Sequence, residues 1–527
     1  MSGSLIVAPT TICNNLRVRV EGNESCSRKF RILYTRTIRP NSLFGVLFSA
    51  GLMLRIVAQL AYRPALLYID SDRYLRGSST LDPLGYRFLL WPLQHVGGLA
   101  SVAVVQHILG LGMACALYGV LVRRGIWRWL AAIAMAPVLL DGYQLQAEQT
   151  IMPDVLFEAL IVAGLATLLW HRGWAAWPLA AAGFLFGVAV TVRQVGEVLV
   201  VPPVVFALAG DGRWRKRLGY GLLGAASFAV PVLAYMAAHL AVDGQFAITQ
   251  RNSYIFYGRM ATAANCFTLR LPADERALCP SPQVTNTLGI DGLVGSPASP
   301  LFRYQPPPGM TVETMVGRFE RAVITQQPMD VAGAVDRDFL KLFALTRDQD
   351  PGDMPITRWQ FQLTYPTYPP LITAGYVAAI RPGGGAPAVS RPLAVLLRDY
   401  QLHGGYTPGP LLALAGITGL AGICCLDGSR QQHTTSAHAC LLVMAAAGAV
   451  LLVSDAFEFS WRYQLPAVIL LPFAGVLGAA ACTARLRFEL SEWRGSRADD
   501  PKPAPPTSAA ELAPPLPSQT TAGSDNS

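Results

Sequence analysis

Charge is scarce in this chain. Only 14% of its 527 residues are Asp, Glu, Lys or Arg, while 52% are hydrophobic; soluble domains carry roughly 25% charged residues. That shortage excludes an ordinary soluble enzyme. It also makes the net charge of +9 uninformative about nucleic acid, and the excess is read as Lys and Arg facing the cytoplasm and anionic lipid headgroups. No internal repeat is visible, and Cys and His nowhere stand at the spacing of a zinc site. No cleavable leader is expected either. The first apolar run starts near residue 43 and is too long for a signal h-region, so it is expected to act as a signal anchor.

What is present is a series of apolar runs of about 18 residues or more, enough to cross a bilayer core of about 30 Å. The expected fold is an all-α polytopic membrane protein of about ten transmembrane helices, with a mixed loop domain outside the membrane. The spans read as 43–62, 96–121, 127–140, 151–170, 174–192, 195–210, 218–241, 409–426, 437–454 and 462–482. Every second short connection is basic: Arg123, Arg124 and Arg128; His171 and Arg172; Arg213, Arg215, Lys216 and Arg217; Arg430; Arg485 and Arg487. Between them, loop 141–150 holds Asp141 and Glu148 without Lys or Arg, and loop 454–461 is acidic as well. The positive-inside rule then puts both termini in the cytoplasm of a plasma-membrane protein.

Five parts follow: a basic tail (1–41), a module of seven spans (42–241), an external loop domain (242–408), three further spans (409–482) and a cytoplasmic tail (483–527). From about residue 500 that tail is rich in Pro, Ala, Ser and Thr and is expected to be disordered. In the large loop, apolar positions recur at helical spacing over 311–326 and 329–345, with Pro328 between them as a helix breaker. Segment 361–376 reads as irregular. Cys13 and Cys26 fall in the tail, and Cys115, Cys424, Cys425, Cys440 and Cys482 in or at spans, where packing is the plain reading. Cys266 and Cys279 are the two cysteines of the external loop. The exported side is oxidising, so they read as a disulfide or as two unrelated thiols.

Ionisable groups at membrane depth are functional candidates by default. Those expected at the outer face are Asp70 and Asp72 after the first span, Glu148 and Asp154 around the fourth, and Arg193, Gln194 and Glu197 between the fifth and sixth. Asp455, Glu458, Arg462 and Tyr463 precede the tenth. One reaction fits carboxylates and arginines converging from separate loops. A sugar on a polyprenyl phosphate has a leaving group already stable as an anion. It needs a cationic fork, which Arg supplies, and the attacking hydroxyl needs one carboxylate base. A single displacement inverts the anomeric centre. That chemistry requires no nucleotide, and a divalent cation is left open. The rival class is a transporter or flippase, which would show two similar halves with broken helices at the midplane.

Asp70-Ser71-Asp72-Arg73-Tyr74 resembles the Asp-Glu-x-x-Tyr motif in the first external loop of GT-C-type membrane glycosyltransferases, among them the protein O-mannosyltransferases and the aminoarabinose lipid A transferases. The resemblance implies Asp70 as base. Ser71 departs from the motif's second acid, so no role carries over to it, with Asp72 as a substitute. Asp82-Pro83-Leu84-Gly85-Tyr86 is similar to the Pro-containing surface helix that follows the motif. Thr191-Val192-Arg193 resembles the family's Thr-Arg at a span end, and Trp461-Arg462-Tyr463-Gln464-Leu465-Pro466 its Arg-Tyr-x-x-Pro. Tyr257-Gly258-Arg259, Cys266 with Cys279, and Gln327-Pro328 are similar to features of actinobacterial, phospholipid-carrier-dependent members. The likeness covers most of 42–482. It implies catalytic Asp70 and Asp72, with Tyr74, Glu148, Arg193, Glu197, Arg462 and Tyr463 binding substrate. It further implies a polyprenyl-phosphate sugar donor and an extracytoplasmic glycan, protein or lipid acceptor.

Overall fold

A computed structural model of the chain describes residues 41–77, 82–171, 173–210, 212–249, 253–368, 387–426 and 435–498. The basic tail before Asn41, Arg172, Arg430, residues 369–386 and the Pro-rich stretch from about 500 lie outside the described residues. The chain divides into two compact units, Met1–Cys482 and Thr483–Ser527.

The first unit is built on helices. Helix α1 (Ser42–Ala61) buries Gly51, Arg55 and Ala58, spaced as one face, and leaves Val46, Met53 and Leu60 exposed. The short helix α2 (Ser71–Arg76) stops at Gly77, whose φ of 80° is the left-handed conformation that ends helices. Helix α3 (Arg87–Arg123) breaks at Gly97 and Gly98, the latter with φ 68°. Its first stretch carries exposed Phe88, Trp91 and Val96, and the remainder is the long apolar span. The expected span 127–140 is two short helices, α4 (Arg128–Ala134) and α5 (Ala136–Leu140). Pro137, which offers no N–H to the preceding turn, sits in the first turn of α5, where a proline is tolerated and the break falls.

Residues 141–150, expected as a loop, instead form helix α6 (Gly142–Gln149), buried throughout. Asp141 caps it, accepting from the Tyr143 amide at 2.9 Å. Its polar side chains find partners inside: Gln144 donates to Glu158 at 2.8 Å and Gln149 to the Tyr62 carbonyl at 3.0 Å. Glu148 accepts from Arg55 of α1 at 2.7 Å and faces His107 Nδ1 of α3 at 2.9 Å. Arg55 also donates to the carbonyls of Leu139 and Val138 at 2.8 and 3.1 Å. Arg55 thus has a named partner, and three helices are pinned by one buried ionic cluster.

Helices α7 (Asp154–Trp170) and α8 (Ala176–Val192) follow. A 3-10 turn (Gln194–Val200) then runs into α9 (Val201–Ala209), and α10 (Trp214–Asp243) packs along α8 and α9. The segment after α10 holds α11 (Ser253–Ala263), α12 (Pro282–Gly295), α13 (Pro300–Arg303), α14 (Val312–Gln326) and α15 (Pro328–Lys341). These gather a separate core around Tyr257, Leu293, Met315 and Phe319. Cys266 and Cys279 are joined there by a disulfide. Pro328 opens α15, as the break between the two periodic stretches requires.

The segment is tied to the helices of the same unit. Arg259 of α11 donates to Asp338 of α15 at 2.5 Å and to the Asp455 carbonyl at 2.6 Å. Strand β1 (Tyr62–Arg63) pairs antiparallel with β2 (Ala388–Val389), and α16 (Arg391–Leu402) lies on α1. Helices α17 (Gly409–Cys424), α18 (Ser436–Phe457) and α19 (Leu465–Ala498) complete the order.

Five described helices are long and apolar enough to cross a membrane: α1, α3, α10, α18 and the Leu465–Ser491 part of α19. The other expected spans fall on apolar helices of 17 residues or fewer. The chain is a membrane protein.

Candidate functional site

The chain around α2 and the turn at Gly85 are each anchored by hydrogen bonds to neighbouring elements. The Leu66 amide donates to the Gln149 carbonyl at 3.0 Å and the Ile151 amide to the Leu66 carbonyl at 2.9 Å. Ser71 Oγ accepts from the Tyr68 amide and donates to the Ile151 carbonyl, both at 2.8 Å. Ser71 therefore anchors α2 to the entry of α7, a role that explains a serine where an acid was expected. Further on, the Gly85 amide donates to the Thr191 carbonyl at 2.7 Å, and a Cβ at Gly85 would stand 2.4 Å from that oxygen. Only glycine lets this turn touch the end of α8, which brings Asp82 beside Arg193.

Four elements then converge. Asp70 Oδ1 pairs with Arg73 at 2.8 Å and its Oδ2 with Arg462 at 3.1 Å. Arg73 also reaches Asp82 at 2.6 Å. Asp154, at the start of α7 and buried, pairs through one oxygen with Arg193 and lies 3.3 Å from Arg462 Nε. Arg193 and Arg462 both lie over the Tyr463 ring, at 4.7 and 4.8 Å from its centre. Arg462 further sits 5.2 Å over Trp359. The result is an alternating lattice of Arg73, Arg193 and Arg462 with Asp70, Asp82 and Asp154.

Two adjoining cavities open on this lattice. The larger, about 430 Å³, is bordered by Asp70, Arg73, Asp82, Arg462 and Tyr463, and also by Asp291 and Glu458. The smaller, about 130 Å³, is bordered by Tyr74, Asp82, Arg193, Glu458, Arg462 and Tyr463. A third hollow of about 530 Å³, almost wholly apolar, lies between the start of α3 and the end of α10, along Leu84, Phe88, Trp91, Tyr235 and Val242.

Electrostatics divides the carboxyls. Burial opposes a charge on Asp70, but Arg73 and Arg462 outweigh it and hold the group below its ordinary value. For Asp82, burial and the nearby Asp70 charge prevail over Arg73, and its value rises. Asp291, exposed on α12, and Glu458, half-buried after α18, border the cavity. Burial and the nearby Asp291 charge push Glu458 up.

Of the residues expected from sequence, Asp70, Tyr74, Arg193, Arg462 and Tyr463 are gathered at the cavities. Asp72 is not: it pairs with Arg76 at 2.6 Å. Glu148 is buried with Arg55 and His107, and Glu197 is exposed on the 3-10 turn. Arg462 pairs with Asp70 and Asp154, and Glu458 stands apart as a cavity carboxyl. Asp154 and Asp291 are the residues that sequence reasoning underweighted. Asp154 carried the signal of an acid opening an apolar helix; Asp291 carried none. Among the described residues no group of three or more His, Cys, Asp or Glu is disposed to hold a metal ion.

No protein-family model matches the chain, and no curated protein matches it. Solved structures of similar outline include the oligosaccharyltransferase AglB of Archaeoglobus fulgidus in complex with an inhibitory peptide and a dolichol-phosphate. It is 13% identical, with a TM-score of 0.41, over 87% of this chain and 52% of that one. ArnT of Cupriavidus metallidurans, bound to undecaprenyl phosphate, is 13% identical, with a TM-score of 0.30, over 83% of this chain and 77% of that one. The chain thus spans about half the length of the archaeal protein. Scores this low leave the functional reading to the site itself.

Proposed function

We propose that this chain is an integral membrane glycosyltransferase that moves a hexose or pentose from a polyprenyl-phosphate carrier to an acceptor outside the cytoplasm, with inversion. The observation that carries the reading is the cavity wall where the Asp70 carboxylate lies against Arg462, beside the Arg193–Asp154 pair. An acceptor O–H enters the larger cavity and attacks the anomeric carbon. Asp70 takes its proton as the new C–O bond forms. The bond to phosphate breaks, and the phosphate leaves with the electron pair as an anion. Arg462 and Arg193 have the fork geometry for that anion, with Arg193 at the smaller cavity.

Resting charges support the same reading. Three arginines balance three aspartates, so an incoming phosphate must compete for guanidinium N–H groups. When it takes Arg462, Asp70 loses one of the cations that depress its proton affinity and becomes the stronger base. The apolar groove by Phe88 and Trp91 is bordered by Leu84, next in sequence to Asp82 and Pro83, which border the smaller cavity. It suits the polyprenyl chain. The excess of Arg in alternate connections supports an outward-facing site with both termini in the cytoplasm.

The test is transfer in proteoliposomes from labelled polyprenyl-phosphate hexoses and pentoses, comparing wild type with Asp70→Asn. Donor cleavage by the wild type, lost in the variant, is the expected result. Passage of a labelled solute across the bilayer with every donor intact would instead make this a transporter.

A further inference from the structure

The strip that carries Arg462 is held from behind. Where α18 ends the chain turns extended, with Glu458 at φ −159° and ψ 138°, and successive side chains of an extended segment point opposite ways. Glu458, Ser460 and Arg462 border the larger cavity. Phe459 and Trp461, which alternate with them, lie instead in a core with Tyr143 and Ile356. Both of these rings carry a cation from the end of α15 or just beyond it. Lys341 Nζ stands 4.7 Å over Phe459, and the Arg347 guanidinium 5.4 Å over Trp461.

Arg347 is the more committed of the two cations. It also lies 4.1 Å over Tyr143 and 5.5 Å over Tyr406, and it pairs with Asp141 at 3.3 Å. Asp141 is itself fixed, because it caps α6 and accepts from the Thr407 amide at 2.7 Å. The carbonyl of the next residue, Asp348, accepts from Trp461 Nε1 at 3.2 Å. A cation within about 6 Å of an aromatic face is attracted to it, and to Trp most of all. Trp461 is thus held both through its ring and through its N–H, while Arg347 itself borders neither cavity of the lattice. The residue next to Trp461 is Arg462, whose guanidinium meets Asp70 at 3.1 Å. We propose that Arg347 is a positioning residue: it acts through Trp461 to set where Arg462 presents its guanidinium to Asp70 and to the leaving phosphate. The proposal rests on the transferase reading and deepens it.

The test is a double-mutant cycle on the full chain in lipid nanodiscs. It reads undecaprenyl phosphate affinity and, with labelled polyprenyl-phosphate sugars, donor KM, kcat and the pH profile. Arg347→Met removes the charge. It is expected to weaken undecaprenyl phosphate binding and raise donor KM about tenfold, the worth of one charge-assisted hydrogen bond, and to move the acid limb of kcat/KM to higher pH. In an Arg462→Ala background the same substitution is expected to change neither affinity nor limb, because a group that acts through another adds nothing once that other is gone. Arg347→Lys keeps a cation over the rings and is expected to stay within about threefold of the wild type. Trp461→Phe, which loses the N–H held by Asp348, goes through the same cycle with the same expectation, so the result does not hang on Arg347→Met folding. A packing role alone would lower the melting temperature and the active fraction without moving affinity or limb. That result, or equal losses in both backgrounds, would overturn the proposal. If undecaprenyl phosphate binds with the expected coupling and no donor is cleaved, the transferase reading falls and the positioning of Arg462 stands. A wild type that neither binds nor cleaves overturns both.

Discussion

Arg462 Nη1 lies 3.1 Å from Asp70 Oδ2, joining residues 392 positions apart in sequence. The pair has a kinetic signature. Arg73 and Arg462 hold Asp70 below the ordinary carboxylate range against the effect of its burial. Removing one cation lets the value climb, so the acid limb of the kcat/KM profile for donor should shift to higher pH in Arg462→Ala. A pH–rate series on both proteins checks this, and an unmoved limb would argue against Asp70 as the titrating base.

Arg462→Lys keeps the charge and loses the fork. A single ammonium cannot serve Asp70, Tyr463 and a phosphate from one plane. Donor KM is expected to rise about tenfold or more, the worth of one charge-assisted hydrogen bond, with the far-ultraviolet circular dichroism unchanged. Titration with undecaprenyl phosphate gives the matching affinity.

Glu148→Ala should damage the fold and leave chemistry alone. It strands Arg55 and His107 in the interior, and breaking a buried pair by deleting one partner costs about 3–5 kcal/mol. Thermal unfolding in detergent should show a large drop. The protein that remains folded should keep its donor KM; a raised KM at full stability would restore Glu148 to the substrate site.

Glu320, on α14, is pushed up to about 7 by burial, and its Oε1 has no hydrogen-bond partner among the described residues. Its folded value lies above its unfolded one, so its contribution is present below the ordinary glutamate value of 4.5 and is lost as pH rises through about 7. Glu320→Gln should therefore match or trail the wild type at low pH and surpass it above about 7. Partial exposure reduces the gain to about 1 kcal/mol. Melting temperatures at the two ends of the range give the comparison.

The apolar runs located the five described helices that are long and apolar enough to cross a membrane, because the bilayer imposes a length that composition displays. Their breaks were less visible: Pro137 divides one run, and Gly97-Gly98 bends another. Loop 141–150 looked like a connection because it is polar. Its glutamines and Glu148 are satisfied by side chains and carbonyls of α1, α3 and α7, which no local pattern can disclose. The same limit governed the site. Asp70 and Arg462 stood out as charges beside apolar runs. Asp154 was one outer-face carboxylate among several until Arg193 and Arg462 proved to meet on it. Asp291 lies in a Gly-rich stretch with no periodic signal, and only the fold carries it to the cavity.

The link between Asp70 and Arg462 also bears on biosynthesis. The acid is made early and its cation near the end of the chain, so the pocket stays half-built until α18 and the start of α19 have been inserted. A product truncated before Arg462 would keep the acid and the groove while lacking the arginine. Such a fragment could sequester carrier lipid without turning it over. Ribosome stalling or late nonsense mutations would then yield a dominant inhibitor in place of a simple loss, and titrating such a fragment against the full chain in one membrane would reveal it.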